Sequence, residues 1–389
     1  MAGKRIGILT FHRSINYGAF MQCFSLATRL RKELPACEVE VIDYESRVVH
    51  DAYRPRLSPG CIKHPTRYPG QLRRYRKFRA AWKTLPLSDR YFIFDREDDE
   101  FFRYVSERYD GVIVGSDAVW NWLWRGFPNP YLLGFSEKFK KYSYAASAYG
   151  MGLSHVGERE KEYFSKALAG YRFIGVRDEY TANLVQMLRP EQKAVYTCDP
   201  TVFLDMDAVY AMLEESRESF AGKLRQKYHI PLNKKIICVM DTQRDIIRSI
   251  RQRYGGECFI ISLYNLLPGA DRCMIDLGPF EWAVIFTLCD VTVTSYFHGM
   301  LLSLRNNTPV ISIDRTQFSK DYEGKIHDVM RRLGILEFFF SDSDPCEEVL
   351  AKMDELLKNG EGYREKTAGA LGRLSQSSDV FFETLRNEF

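Results

Sequence analysis

No stretch of this sequence approaches the roughly 20 consecutive apolar residues that a membrane-spanning helix needs. The apolar segment from Ile6 to Phe11, which follows Lys4 and Arg5, is too short for a secretion signal and already contains Thr10. Nine cysteines are present, but no two are spaced as a CxxC pair, which excludes a zinc knuckle or a thioredoxin-like motif. Cys238, Cys258 and Cys289 lie in apolar runs and read as reduced core residues. A phosphate loop ending in GK and Ser or Thr is missing, and GVIVGSD (111–117) lacks the glycine pattern of a dinucleotide site. Serine and cysteine nucleophile motifs are also missing, and Asp110 and Asp117 are too isolated to argue for a metal pair. No repeat or low-complexity tract stands out. These absences leave a cytoplasmic, soluble protein for which no metal, cofactor or nucleic-acid partner is expected.

What is present is an ordinary globular composition, 45% hydrophobic and 27% charged, in a chain of 389 residues. That length exceeds what one core usually fills, so two domains are expected. The net charge of +4 is unevenly spread. Between Ser46 and Pro86 there are eleven Lys or Arg, Arg73, Arg74, Arg76, Lys77 and Arg79 among them, against the single acid Asp51. This insertion is read either as a solvated helix with its loop or as a basic excursion that meets an anionic substrate or membrane face.

Strand and helix patterns alternate along the N-terminal half. Apolar runs at 6–11, 39–44 and 111–117 read as strands, as do those ending at Ser147, Asp178 and Pro200, with a helix at 18–34. Near-continuous apolar character, without strict alternation, indicates buried parallel strands. The rhythm breaks near Asp205, and a charged helix over 208–228 follows. A second set of strands ends at Asp241, Leu263, Ser295 and Asp314, with helices at 346–357 and 370–386. The expected fold is α/β, with two Rossmann-like domains facing across a cleft: 1–204, carrying the basic insertion at about 46–86, and 205–389, whose terminal helices return to the first domain.

The segment from Asp290 to Asp314, DVTVTSYFHGMLLSLRNNTPVISID, sets His298 where an apolar strand gives way to an apolar helix. Such a strand–turn–helix makes a crevice where α/β proteins bind ligands. Ser295 is expected to cap that helix, and Gly299 to allow close approach of a backbone or ligand. Arg177 follows the apolar run Phe173–Val176 and precedes a helix that Asp178 can cap. It reads either as a cleft residue or as an interdomain arginine paired with Asp178. Asp199, just before Pro200, reads as a turn former or as a residue that orients cleft groups.

Six blocks in order resemble the polysaccharide pyruvyl transferase family: GILTFHRSINYGAFMQCFSL, GVIVGSDAVWN, AASAYG, FIGVRDEYTANLV, CDPTVFL and TSYFHGMLLSL. They span about residues 6–330. The resemblance implies a GT-B-like pair of domains. It also implies transfer of an enolpyruvyl group from phosphoenolpyruvate to a sugar of a surface or cell-wall polysaccharide precursor, giving a pyruvate ketal. It places the family's catalytic histidine on His298 and its basic arginine on Arg177. Some relatives carry a further arginine two positions before the histidine, where this chain has Tyr296.

Within that frame His298 is the expected acid and base, giving a proton to C3 of the enolpyruvyl group and taking one from a sugar hydroxyl. Arg177 would hold a carboxylate or phosphate in a two-point grip. Arg13, Arg315 and Lys325 compete to supply the cation absent at Tyr296. Asn16 and Gly18, with Gln22 one turn on, are read as shaping the cleft or the acceptor site, or simply as turn residues. Ser116, Asp117, Trp120, Asn121 and Ser147 are further substrate-site candidates. Trp120, with Trp122 and Trp124, would stack on a sugar unless this aromatic patch is core.

The expected partners are phosphoenolpyruvate and a glycan or lipid-linked oligosaccharide acceptor. Peripheral contact with an anionic membrane at the cytoplasmic face is consistent with the basic insertion. Two alternatives stay open from the residues alone. One is a GT-B-like glycosyltransferase using a nucleotide sugar, and the other a non-catalytic glycan-binding or assembly protein.

Overall fold

The structure, a computed structural model, describes residues 3–53, 67–96, 98–136, 138–151, 156–240, 244–314 and 324–389. Its first seven strands are β1 (Arg5–Leu9), β2 (Glu38–Glu45), β3 (Leu87–Ile93), β4 (Gly111–Val114), β5 (Lys140–Ala146), β6 (Tyr171–Val176) and β7 (Ala194–Tyr196). They form one sheet in the order β3-β2-β1-β4-β5-β6-β7. The next six are β8 (Lys235–Met240), β9 (Cys258–Leu263), β10 (Arg272–Met274), β11 (Val291–Thr294), β12 (Val310–Asp314) and β13 (Phe339–Ser341). They form a second sheet in the order β10-β9-β8-β11-β12-β13. All pairings are parallel, as continuous apolar strands require when helices cover both faces. The result is two α/β lobes. In each sheet the strand order reverses beside the first strand of the lobe, between β1 and β4 and between β8 and β11. Such reversals open a crevice at the carboxyl ends of the strands.

The runs read as strands to Phe11 and Asp117 end earlier, at Leu9 and Val114. Beyond those points the chain turns out of the sheet toward the cleft, and Asp117 has φ 88°. Three strands had no legible pattern: β3 is largely solvent-facing, and β10 and β13 have three residues each. The helix expected over 208–228 is two, Met206–Leu213 and Arg217–Tyr228, because Glu214 turns left-handed at φ 55° and Ser216 caps a new start. Near the end, Cys346–Gln376 is continuous except at Asn359, and Asp379–Glu388 follows. The last helix packs back on the first lobe, with Phe381 against Tyr144 at 4.8 Å and Tyr142 donating to Glu388 at 2.7 Å.

The Tyr17–Glu33 helix is buried over most of its circumference, which suits a helix lying between two layers. Tyr17 stacks on Trp282 at 4.8 Å and donates to the Leu277 carbonyl at 2.9 Å, and Phe24 meets Phe280 at 5.1 Å. One hydrophobic cluster therefore runs through both lobes.

The basic insertion joins this interface through its Arg67–Trp82 helix. Arg73 pairs with Asp276 at 3.1 Å, Lys77 pairs with Glu281, and Gly70 lies against Ile275. This described helix is therefore no free excursion, because acids of the second lobe neutralise part of its charge. Residues 54–66 of the insertion lie outside the described residues.

Candidate active site

The site forms where the carboxyl ends of the two sheets meet. β1 leads through the 10–16 loop into the Tyr17–Glu33 helix, whose N-cap is Asn16, its side chain accepting from the Ala19 amide. β11 leads into the Phe297–Arg305 helix. The N-cap of this second helix is Tyr296, with no side-chain cap bond, so the capping role expected of Ser295 is not realised. Met240 of β8 and Thr294 crowd Gly299, where a Cβ would lie 2.8 Å from Thr294 Oγ1 and 3.0 Å from Met240 Sδ. Glycine here lets the helix close on its own sheet.

Gly18 and His298 meet across the lobes at the site. A Cβ at Gly18 would fall on the ring atoms of His298, nearest to Nδ1. The imidazole is held with its Nε2 edge toward Asp199, at 3.6 Å from Oδ2. That separation fits an ion pair but exceeds a hydrogen bond. Nε2 is buried and makes no hydrogen bond among the described residues.

Asp199 is the hub. It starts the short Pro200–Phe203 turn, accepting from the Thr201 amide at 3.0 Å and from the Thr201 hydroxyl. Its Oδ2 accepts from Arg177 Nη1 at 3.0 Å and from the Gln22 amide. Burial by itself would raise this carboxyl, but the facing imidazole, Arg177 and the Thr201 hydroxyl outweigh it and hold it well below the usual carboxylate range. Sequence reading left Asp199 undecided between turn and cleft, and it is both. Its one sequence signal is a carboxylate at a strand exit before proline.

Arg177 leaves the end of β6 and is 4% exposed, so its charge must be matched inside the protein. Asp199 does so, aided by Asp117 Oδ1 at 3.5 Å from Nη2, while Nε has no hydrogen-bond partner among the described residues. Asp178 does not pair with it. Asp178 caps the Glu179–Leu188 helix through the Thr181 amide at 2.8 Å and accepts from Ser147 Oγ at 2.5 Å. Ser147 is thus a support for that helix start. Lys325, first residue of the Lys325–Leu333 helix, joins the same corner. Its ammonium and the Arg177 guanidinium lie 5.2 Å and 5.3 Å from the Phe297 ring. Burial first, and then the neighbouring Arg177 charge, lower the Lys325 pKa, partly offset by Asp117 and Asp199. The Asp117 carboxyl is depressed: burial would raise it, but Arg177, Lys325 and His298 prevail.

Other expected residues lie elsewhere. Arg13 donates to Asp43 at 2.7 Å and sits over Trp82 and Tyr91, so it is engaged at the far side of β1. His12 joins it, with Nε2 3.0 Å from Asp43. Trp120 is fully buried against Phe164 and Tyr171, and Trp122 packs on the same Phe164. Trp120 and Trp122 are core, which corrects the expected sugar platform at Trp120. The side chain of Trp124 and the whole of Arg315 lie outside the described residues. Asn121 is buried and donates to the Tyr149 carbonyl at 2.9 Å. Ser116 is buried, its carbonyl accepting from Thr10 Oγ1 at 3.1 Å. The hydroxyl of Ser116, Gln22 Oε1 and Asn121 Oδ1 are buried with no hydrogen-bond partner among the described residues. Native proteins rarely leave such atoms unpaired except where a ligand or water completes them.

At this corner two facing α/β lobes bring together an imidazole aimed at a carboxylate, a buried guanidinium and a half-buried ammonium. The sequence model of the polysaccharide pyruvyl transferases matches residues 16–317, which includes His298, Arg177, Asp199 and Gly18. The chain belongs to the polysaccharide pyruvyl transferase family. Membership carries a ketal-forming transferase activity on a polysaccharide substrate, with which phosphoenolpyruvate as donor is consistent.

Among solved structures the chain is similar to the UDP-GlcNAc 2-epimerase from Methanocaldococcus jannaschii, at TM-score 0.53 and 11% identity over 92% of this chain and 93% of that one. It is similar to MnaA of S. aureus in its UDP co-structure, at TM-score 0.52 and 11% identity, with coverage of 94% and 91%. The wall teichoic acid polymerase TagF (H444N variant with CDPG) gives TM-score 0.50 and 12% identity, with coverage of 99% and 89%. At these identities the likeness establishes the two-lobed GT-B-like fold of this pyruvyl transferase and nothing of its substrates. No curated protein matches the chain closely enough to count as a relative. Among the described residues no helix is long and apolar enough to cross a membrane.

Proposed function

We propose that His298 is the acid and base of pyruvyl transfer from phosphoenolpyruvate, and that Arg177 and Lys325 hold the donor's anionic groups. The supporting observation is the arrangement of His298: its ring is pinned by Gly18 and faces Asp199, which also holds Arg177. Two sugar hydroxyls add to C2 of the enolpyruvyl group and the bond from C2 to the phosphate oxygen breaks. Of the two hydroxyl protons, one goes to C3, making the methyl group, and one leaves with phosphate. A single imidazole that accepts a proton from a hydroxyl and returns one to C3 serves both halves. Arg177 and Lys325 stabilise the donor's carboxylate and the departing phosphate in a buried setting, where charge counts for more than in water.

In this reading 1–204 and 205–389 are the two domains. The acceptor is a glycan precursor on a carrier, and the reaction proceeds in the cytoplasm beside the membrane that bears it. Asp117 orients Arg177, and Asn16 and Gly18 set the interlobe distance. The test is His298→Ala, incubated with phosphoenolpyruvate and a panel of glycan acceptors. A loss of about 10²- to 10⁴-fold in phosphate release and in ketal product detected by mass spectrometry is expected. Undiminished product would overturn the assignment.

A further inference from the structure

The Arg67–Trp82 helix presents three cations to the second lobe, and they are treated differently. Arg73 and Lys77 are paired with Asp276 and Glu281. Arg74, between them, makes no ion pair among the described residues. Its guanidinium lies 4.7 Å from the centre of the Tyr264 ring, and its Nε is buried with no hydrogen-bond partner among the described residues. Arg74 and Tyr264 border a cavity of about 430 Å³ between the lobes, with Gln71 and Asn265 as further polar lining and Leu267 and Ile275 as apolar lining. A guanidinium beside the Tyr17 hydroxyl, with no carboxylate partner among the described residues and with two amides and an aromatic face near it, suits a phosphate whose attached group is partly apolar.

The cavity adjoins the site on the side away from the Arg177 corner. Asn265 Nδ2 donates to the Tyr296 hydroxyl at 3.3 Å, and Tyr264 lies 6.0 Å from the Tyr296 ring and 5.9 Å from that of Tyr17. Tyr17 precedes the glycine that touches His298, and Tyr296 lies two residues before the histidine itself. Tyr296 thus belongs to the Arg74 locus, as Phe297 belongs to that of Arg177 and Lys325. Two cationic loci flank one imidazole, and phosphoenolpyruvate is small enough to be held at one of them.

We infer that the Arg74 cavity is a subsite for a phosphate of the acceptor's carrier. This rests on the reading of His298 and Arg177 as the donor site. The diphosphate group is common to nucleoside and prenyl carriers. The sugar it bears then reaches His298 past Tyr296.

The test is calorimetric titration of the full-length chain and of Arg74→Gln, Arg74→Lys and Gln71→Ala, each first shown folded by thermal melting. The probes are inorganic pyrophosphate, uridine diphosphate, geranyl diphosphate, glucuronate and phosphoenolpyruvate. Pyrophosphate should bind the wild type and bind Arg74→Gln at least about tenfold more weakly, with partial recovery in Arg74→Lys and unchanged phosphoenolpyruvate affinity. Tighter binding of uridine diphosphate than of geranyl diphosphate identifies a nucleoside carrier, and the reverse a prenyl one. Should Arg74→Gln not fold, Arg74→Lys and Gln71→Ala carry the comparison. Pyrophosphate affinity indifferent to these changes overturns the inference, as does glucuronate binding in its place or a loss of phosphoenolpyruvate in Arg74→Gln. Arg74-dependent pyrophosphate binding without any binding of phosphoenolpyruvate leaves the subsite standing and sinks the donor reading. The opposite pattern does the reverse.

Discussion

Gly18 touches His298 across the lobe boundary so closely that no other residue fits between them. The first helix of one lobe thereby fixes the imidazole of the other, and the distance between lobes at the site is set by a missing side chain.

Gly18→Ala should therefore act on chemistry before stability. The helix tolerates alanine, which is the better helix former, but the added methyl displaces His298 or parts the lobes by about 1 Å. A misplacement of that size costs about 10²-fold in rate. We expect kcat to fall by about that factor while circular dichroism and the melting temperature change little, and full activity in this variant would refute the contact.

Asp199→Asn removes the charge that faces both Arg177 and His298. Breaking a buried pair from one side costs about 3 kcal/mol, measurable by urea denaturation at neutral pH. The sign with pH follows from the depressed carboxyl. The stabilisation is present above the unfolded pKa of about 3.9 and is lost as pH falls through the lower folded value. The stability gap between wild type and Asp199→Asn should thus narrow in strong acid. A gap that widens there would contradict the ion-pair assignment.

Lys325 holds its proton less firmly than a free lysine, through burial and the nearby Arg177. If it grips the donor as a cation, the KM for phosphoenolpyruvate should rise with pH below the usual lysine value of about 10.4. In Lys325→Arg the rise should move to higher pH, because a guanidinium keeps its charge. Superimposable profiles for the two proteins would remove Lys325 from the donor site.

Trp120→Ala separates a core role from sugar stacking. Its ring is fully buried against Phe164 and Tyr171, so truncation should cost about 3–5 kcal/mol of stability. The KM for the acceptor in the folded fraction should stay unchanged. A large rise in that KM at normal stability would restore the sugar platform.

The fold was legible where strands are buried on both faces, since β1, β4 and β8 read as nearly unbroken apolar runs and β11 as a β-branched run, VTVT, ending in a polar turn. It was illegible at the sheet edges: β3 exposes much of its length, and β10 and β13 are too short to show a period. The candidate residues that leave strand ends, His298 and Arg177, could be found from position and resemblance. Asp199 and Arg74 could not be ranked, because a carboxylate before proline and one arginine among many look alike until their neighbours are known. Trp120 stayed open between sugar platform and core for the same reason, since an aromatic cluster has the same composition in a core as on a binding surface.

By itself the sequence determined the two α/β lobes, the family and the positions of His298 and Arg177, because hydrophobic periodicity and strand-end motifs are local properties of the chain. Only the tertiary structure decided which groups meet. It brought Gly18 from the first lobe against His298 of the second, made Asp199 the common electrostatic partner of Arg177 and His298, and folded the described helix of the basic insertion onto acidic residues, with Arg74 at the cavity and in no ion pair among the described residues. Those outcomes depend on packing between segments about 20 to 280 residues apart, and no local pattern encodes the distance between two side chains that far apart along the chain.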